Sequence, residues 1–301
     1  MSYLVHAIGH VQLNVVDIEA LTAESINILG LHETHRTADS VWLSANGRKA
    51  ELVLHQSDEN SVHSLGFEAL SSDAVAEAAK RVTSAGCALI SESPSLNCCD
   101  SGVVFETPEG HKIEIHSPIA NNIDSQRHFS SGMGPKRLDH VNLTSPDPAA
   151  TRAQFEAIMG LKLSERMVDD GLSWMRGGNG QHHCVGIVRG PTGLHHYSFE
   201  VHEFQDYCRL GDRLDTIEKN FIWGPGRHRP GDNTFAYYLD TCGAMVECSG
   251  PMSMIFDDER YDPNIITALK RPDNIRVMNV WGEPAPLIWR EHQFLWAGAT
   301  A

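Results

Sequence analysis

LDHVNLT occupies residues 138–144 of a 301-residue chain, and IGHVQLN occupies residues 8–14. Both phrases alternate apolar and polar residues as a half-buried strand does, and both carry a histidine at the third position. Aligned on those histidines, the two halves go on corresponding. Ile28-Leu29-Gly30-Leu31 faces Ile158-Met159-Gly160-Leu161, HSLGFEA (63–69) faces HHYSFEV (195–201), and TPEGHKIEI (107–115) faces DTCGAMVEC (240–248). The offset drifts from 130 through 132 to 133 residues, as short loop insertions would make it. Four matches in one order mark an internal duplication.

Each half also reads as double. In the first, a strand at 11–15 leads to a helix over 17–29 that stops at Gly30, then to strand-like runs within 41–55. LGFEAL (65–70) opens a second unit, SDAVAEAAKRVTSAG (72–86) is a helix with a Ser/Asp start and a Gly stop, and 103–115 supplies further strands. The second half repeats this with a strand at 140–144, a helix over about 147–159, strands to 188, a strand at 195–201, a helix over 203–220 and strands at 234–248. The expected fold class is α+β: four βαβββ modules paired into two similar barrel-like domains. The expected bounds are 1–122 and 136–252. The remainder, 253–301, contains Trp281, Trp289 and Trp296, has no counterpart in the first half, and is expected to pack on the body as a tail.

Composition narrows the function classes. The net charge of -15 argues against a polyanionic partner such as nucleic acid. No apolar run approaches the roughly 18–20 residues that cross a bilayer, and the N-terminus does not read as a signal peptide. Seven cysteines, odd in number and irregularly spaced, suit neither a disulfide framework nor a structural zinc site, so reduced thiols in a cytoplasm are the expected state. The 17 histidines are the unusual feature, because several fall inside strand-like runs.

Strand parity sorts those histidines. Val141 and Leu143 pack under a helix, which turns His140 and Asn142 to the opposite, concave face. In LHHYSFEV the apolar set is Tyr197, Phe199 and Val201, so His196, Ser198 and Glu200 share the concave face. Met245 and Glu247 fall together on one side of their strand. A single strand histidine is ordinarily a core or surface residue. An unpaired carboxylate in an apolar strand is less easily dismissed, since burying it is costly. Two imidazoles and one carboxylate, with other positions open to water and substrate, form the facial set of non-haem Fe(II) oxygenases; the same donors suit Mn(II), or Zn(II) in a hydrolytic or isomerase role.

The run GPGRHRPGDNTFAYYLDTCGAMVEC (224–248) resembles the C-terminal signature of the type I extradiol ring-cleaving dioxygenases of the vicinal oxygen chelate superfamily. That family has a histidine, a tyrosine nine residues on, and a ligand glutamate ten beyond; here these are His228, Tyr237 and Glu247. LDHVNLT resembles the strand with the family's first metal histidine, and LHHYSFEV the strand whose second histidine is the next ligand. The first half resembles the family's metal-free copy. The resemblance implies that His140, His196 and Glu247 hold Fe(II), with Mn(II) as the variant metal. It implies an acid–base histidine in QHHCVGIV (181–188), fitted by His183 with His182 as the alternative; Gly186 departs from the family's usual Ala. Tyr237 would bond a substrate oxygen and His228 would orient the ring or its hydroxyl, although GPGRHRPG taken alone also reads as a plain loop. The implied activity is extradiol (meta) cleavage of a catecholic substrate with O₂, in aromatic compound degradation, by a homo-oligomer. A neutral histidine suits this chemistry, because a catechol must lose a proton to chelate a metal. Two alternatives remain: a glyoxalase-like isomerase or thiol transferase on the same modules, and a metal-free protein that binds an aromatic ligand. In the first half Glu114 faces Glu247, but Ser64 stands where His196 does, so His10 is expected to hold no metal.

Overall fold

Alternation carries the 8–14 phrase into a long strand, β1 (Val5–Val15), in which Val11, Leu13 and Val15 are buried. The protein is described here by a computed structural model over residues 2–119, 132–267 and 278–299. After β1 come α1 (Ile18–Glu24), β2 (His32–Arg36), β3 (Ser40–Ser44), β4 (Leu52–Gln56), β5 (Ser61–Ala69), α2 (Ser72–Val82), β6 (Ala88–Ser91), β7 (Gly102–Glu106) and β8 (Lys112–His116). The second half has β9 (Arg137–Ser145), α3 (Pro148–Met159), β10 (Lys162–Met167), β11 (Leu172–Arg176), β12 (Val185–Arg189), β13 (Gly193–Glu200), α4 (Asp206–Asp215), β14 (Trp223–His228), β15 (Thr234–Leu239) and β16 (Met245–Ser249). The tail adds β17 (Asn264–Ile266), β18 (Asn279–Trp281), α5 (Leu287–Arg290) and β19 (Phe294–Leu295).

The first sheet runs β2-β3-β4-β1-β5-β8-β7-β6, and the second contains β10-β11-β12-β9-β13-β16-β15-β14. Renumbered, the two orders are the same, so the duplication read from sequence is a duplication of topology. The tail strands extend the second sheet: β17 runs parallel to β10, β18 pairs with β14, and β19 pairs with β13. One continuous apolar core joins both halves, and Phe67 of β5 meets Phe155 of α3 edge-on at 6.1 Å.

The helices begin and end for local reasons. Asp147 caps α3 by accepting from the Ala150 N–H, and Gly160 closes it with φ 68°, a conformation that costs glycine little. Gly30 plays the same part at φ 90°, but the turn before it, Ser25–Leu29, is a wide π turn rather than a continuation of α1. The helix expected over 203–220 is shorter. Its start is set by Asp206, whose carboxylate accepts from the His202 and Glu203 N–H groups, and Glu218 at φ 58° breaks its continuation. Trp223–His228 is a strand, although its Gly and Pro content reads as loop.

Register is the same in the two copies, and the side chains it brings together are where they diverge. His10 lies opposite Gly66, and Gly66 opposite Glu114; in the second sheet His140 lies opposite Ser198, and Ser198 opposite Glu247. The first copy fills its centre with its own side chains. His10 Nε2 is 3.4 Å from Glu114 Oε2, and the His116 ring stacks on His10 at 4.9 Å. Ser95 donates both its N–H and its hydroxyl to Glu114, closing the space from the loop before β7. Glycines make room: a Cβ on Gly66 would lie 2.2 Å from His10 Nε2, and one on Gly9 2.1 Å from His116 Nε2.

Two outcomes follow from this packing. Gly66→Ala should lower the unfolding free energy by about 1–3 kcal/mol in urea titrations, and by less in a His10→Ala background. Burial first, with nearby positive groups, pushes His116 down to about 3 and His63 down to about 4. Their unfolded values lie near about 6.5, so their stabilising contribution is present above that pH and is lost as pH falls toward the folded values. The urea midpoint should therefore drop between about pH 6.5 and about pH 4; a flat midpoint would contradict the buried neutral rings.

Candidate metal centre

Three neighbouring strands converge on one point. β9 brings His140, β13 brings His196 and β16 brings Glu247, all buried, with one ligand atom from each within 4.8 Å of the others. His140 Nε2 lies 2.9 Å and His196 Nε2 3.1 Å from Glu247 Oε2, and the two Nε2 atoms are 3.4 Å apart. Burial pushes Glu247 up, but the His140 charge and the hydrogen bond from His140 Nε2 take it well below the usual carboxylate range. Burial pushes His140 down, but Glu247 and Asp139 raise it to about 9. The point therefore demands positive charge, which His140 supplies as a proton below that pH. Glu247 Oε1 makes no hydrogen bond. An N, N, O⁻ donor set with a spare buried oxygen suits a divalent cation of the Mn, Fe or Zn kind.

Support stands behind these side chains. Asp139 Oδ2 holds His140 Nδ1 at 2.9 Å, and Asp139 Oδ1 accepts from Gln181 at 2.9 Å. Fixing the far nitrogen of a ligand histidine with a carboxylate aims the near one and raises its basicity. Ser198 and Ser249 complete this layer, Ser249 donating to Asp139 at 3.2 Å. Glu200, expected on the concave face, instead pairs with Lys136 and Arg137 at 2.8 and 2.9 Å.

In front of the three lies a cavity. His183, His228 and Tyr237 all line it, together with Asn142, Trp174 and Trp289. His182 does not; its Nδ1 sits 3.0 Å from His183 Nδ1. Burial first, then the His140 charge, drives His183 well below its ordinary value, so it is a neutral imidazole. His228 Nδ1 donates to the Met278 carbonyl at 3.0 Å, which leaves Nε2 to accept from the Tyr237 hydroxyl at 2.8 Å. Burial and Glu247 push Tyr237 well above 10, so it keeps its proton. The glycine at 186 has a local cause: a Cβ there would lie 2.9 Å from the Asn142 amide, which lines the cavity.

The sequence did not single out Asp139, Trp174 or Trp289 as parts of this site. Asp139 had a signal, since Gly9 stands at the matching place in the first copy. The tail tryptophans have no copy to be compared with.

The profile of the Glyoxalase/Bleomycin resistance protein/Dioxygenase superfamily matches residues 7–115 and 137–248. The chain belongs to this superfamily. Metapyrocatechase from Pseudomonas sp. (strain CF600) is 28% identical over 263 residues, covering 80% of this chain and 85% of that one. The Mn(II)-bound glyoxalase from Novosphingobium aromaticivorans superposes with a TM-score of 0.84 at 26% identity, covering 98% of this chain and 97% of the other. Homoprotocatechuate 2,3-dioxygenase from Brevibacterium fuscum, in complex with 3,4-dihydroxyphenylacetate, shares the fold at a TM-score of 0.86 with 20% identity, covering 97% and 93%. Among the described residues no helix is long and apolar enough to cross a membrane.

Asp139→Asn should weaken divalent metal binding by about 10- to 100-fold while leaving the fold intact, measured by chelator competition. Unchanged affinity would show that the carboxylate behind His140 plays no part in holding the ion.

Proposed function

We propose that this protein is an extradiol dioxygenase, which opens a catecholic ring beside its diol with O₂ at one divalent iron or manganese ion held by His140, His196 and Glu247. One observation carries the reading: the two imidazoles and the carboxylate open onto the same cavity as His183, His228 and Tyr237. In this reading 136–252 is the catalytic unit, 1–122 its metal-free copy and 253–301 a tail whose described part helps wall the site; residues 1, 120–122, 268–277 and 300–301 lie outside the described residues. The seven cysteines are free thiols, which suits a reducing cytoplasm.

Bound there, the ion would supply Lewis acidity toward the diol and one place for substrate and O₂ to meet. The chain's own groups do the rest. Neutral His183, its ring 4.6 Å from that of His140, accepts a proton from a catechol hydroxyl and can return it to the opening ring. Tyr237 spends its hydrogen on His228, so its oxygen is left to accept from a substrate hydroxyl. Trp174 and Trp289 offer flat apolar walls to an aromatic ring.

The superposition on a glyoxalase favours a second reading, metal-dependent isomerisation on the same frame. His183, His228 and Tyr237 beside the ligands suit the first better, because a diol presents two hydroxyls that each need a partner. To decide, the protein is loaded anaerobically with Fe(II) or Mn(II) and given a panel of catechols and then air. O₂ uptake with a yellow ring-fission product is expected. Metal binding without O₂ uptake on any catechol, together with isomerisation of a hemithioacetal, would establish the second reading. Glu247→Ala should lose the metal, whereas Tyr237→Phe should keep it and lose about 10²-fold or more in rate.

A further inference from the structure

His196 does not stand alone. Its Nδ1 lies 2.7 Å from Nδ1 of His195, and His195 Nε2 lies 2.7 Å from the backbone carbonyl of Trp289 in the tail. That carbonyl belongs to α5, in the last turn, where a helix leaves C=O groups without an internal partner. A carbonyl only accepts, so the proton of a neutral His195 is on Nε2, and its Nδ1 carries a lone pair. Two ring nitrogens at 2.7 Å need one proton between them. With none on His195 Nδ1, it comes from His196, which therefore holds its hydrogen on Nδ1 and turns a lone pair on Nε2 toward Glu247 and His140.

We infer that His195 is a positioning residue: with the Trp289 carbonyl of the tail behind it, it fixes the tautomer and ring angle in which His196 can bind a metal. The inference rests on the reading of His196 as a ligand. It gives the tail a part in the site beyond walling it. The same device recurs where the Met278 carbonyl, also in the tail, fixes the proton of His228 on Nδ1. The first copy has His63 at the matching place, but Ser64 follows it and there is no ligand to aim. His195 is also well placed to be mere packing, since its ring meets the Trp289 indole edge-on at 4.7 Å. The two roles make opposite predictions for two substitutions.

His195→Phe keeps a ring against Trp289 and removes the acceptor. His195→Asn loses the ring but places an amide oxygen near the former Nδ1. Mn(II) affinity is measured anaerobically by chelator competition for the wild type, both variants and His196→Ala. His195→Phe should bind about 10- to 100-fold more weakly than wild type, and His195→Asn within about threefold of it. Wild-type affinity in His195→Phe, or an equal loss in both variants, would overturn the inference. If His195→Phe does not fold, the Asn variant decides: a tenfold loss overturns the inference and retention supports it. His196→Ala should lose binding. A wild-type protein that bound no Mn(II), or a His196→Ala variant that bound it normally, would overturn the metal reading itself, a result distinct from failure of the His195 arms.

Discussion

Glu247 is 1% exposed in the middle of a strand, and a carboxylate in that position must be met by positive charge or by hydrogen bonds. Much of the second half is arranged around this requirement. His196 reaches it from the adjacent β13 and His140 from β9 one strand further on, and Asp139 in turn neutralises His140 from behind. The cost of burying one charge is offset by a chain of paired groups. The same pairing leaves one carboxylate oxygen and two imidazole nitrogens pointing at a single place.

The first copy meets the same requirement another way. Glu114 occupies the register position of Glu247 and is likewise buried, yet its partners are His10, Ser95 and the neighbouring His116. Burial alone would raise Glu114, but His10, His116 and Ser95 together bring it down to about 2. Ser95 satisfies the carboxylate from a loop, and Gly9 and Gly66 give up their side chains so that two imidazoles can lie flat over the strands. A site built to stay open and a site built to be filled thus come from one frame. The difference lies in a handful of positions: Asp139 against Gly9, Ser198 against Gly66, His196 against Ser64, Ser249 against His116.

Much of this was legible in the sequence, for physical reasons. Side-chain alternation in a strand has a period of two, so the apolar residues of LDHVNLT and AMVEC state which way His140 and Glu247 point. Duplication then tells which strands are equivalent, and so which are neighbours. Parity fails where the backbone is irregular. His182 and His183 precede β12, which begins at Val185, and only the structure shows that His183 alone lines the cavity. Glu200 obeyed parity but sits at the end of its strand, where Lys136 and Arg137 claim it. The tail was the least legible part. Its contribution comes through two backbone carbonyls and the Trp289 side chain, and a carbonyl leaves no mark in a sequence.

If the proposed function holds, one of two equivalent places binds a metal and the other is closed by its own side chains. Anomalous diffraction from crystals grown with Mn(II), recorded at an energy where manganese scatters strongly, tests it directly. One peak per chain is predicted, within bonding distance of His140 Nε2, His196 Nε2 and Glu247. A peak at His10 and Glu114, or none at Glu247, would contradict it.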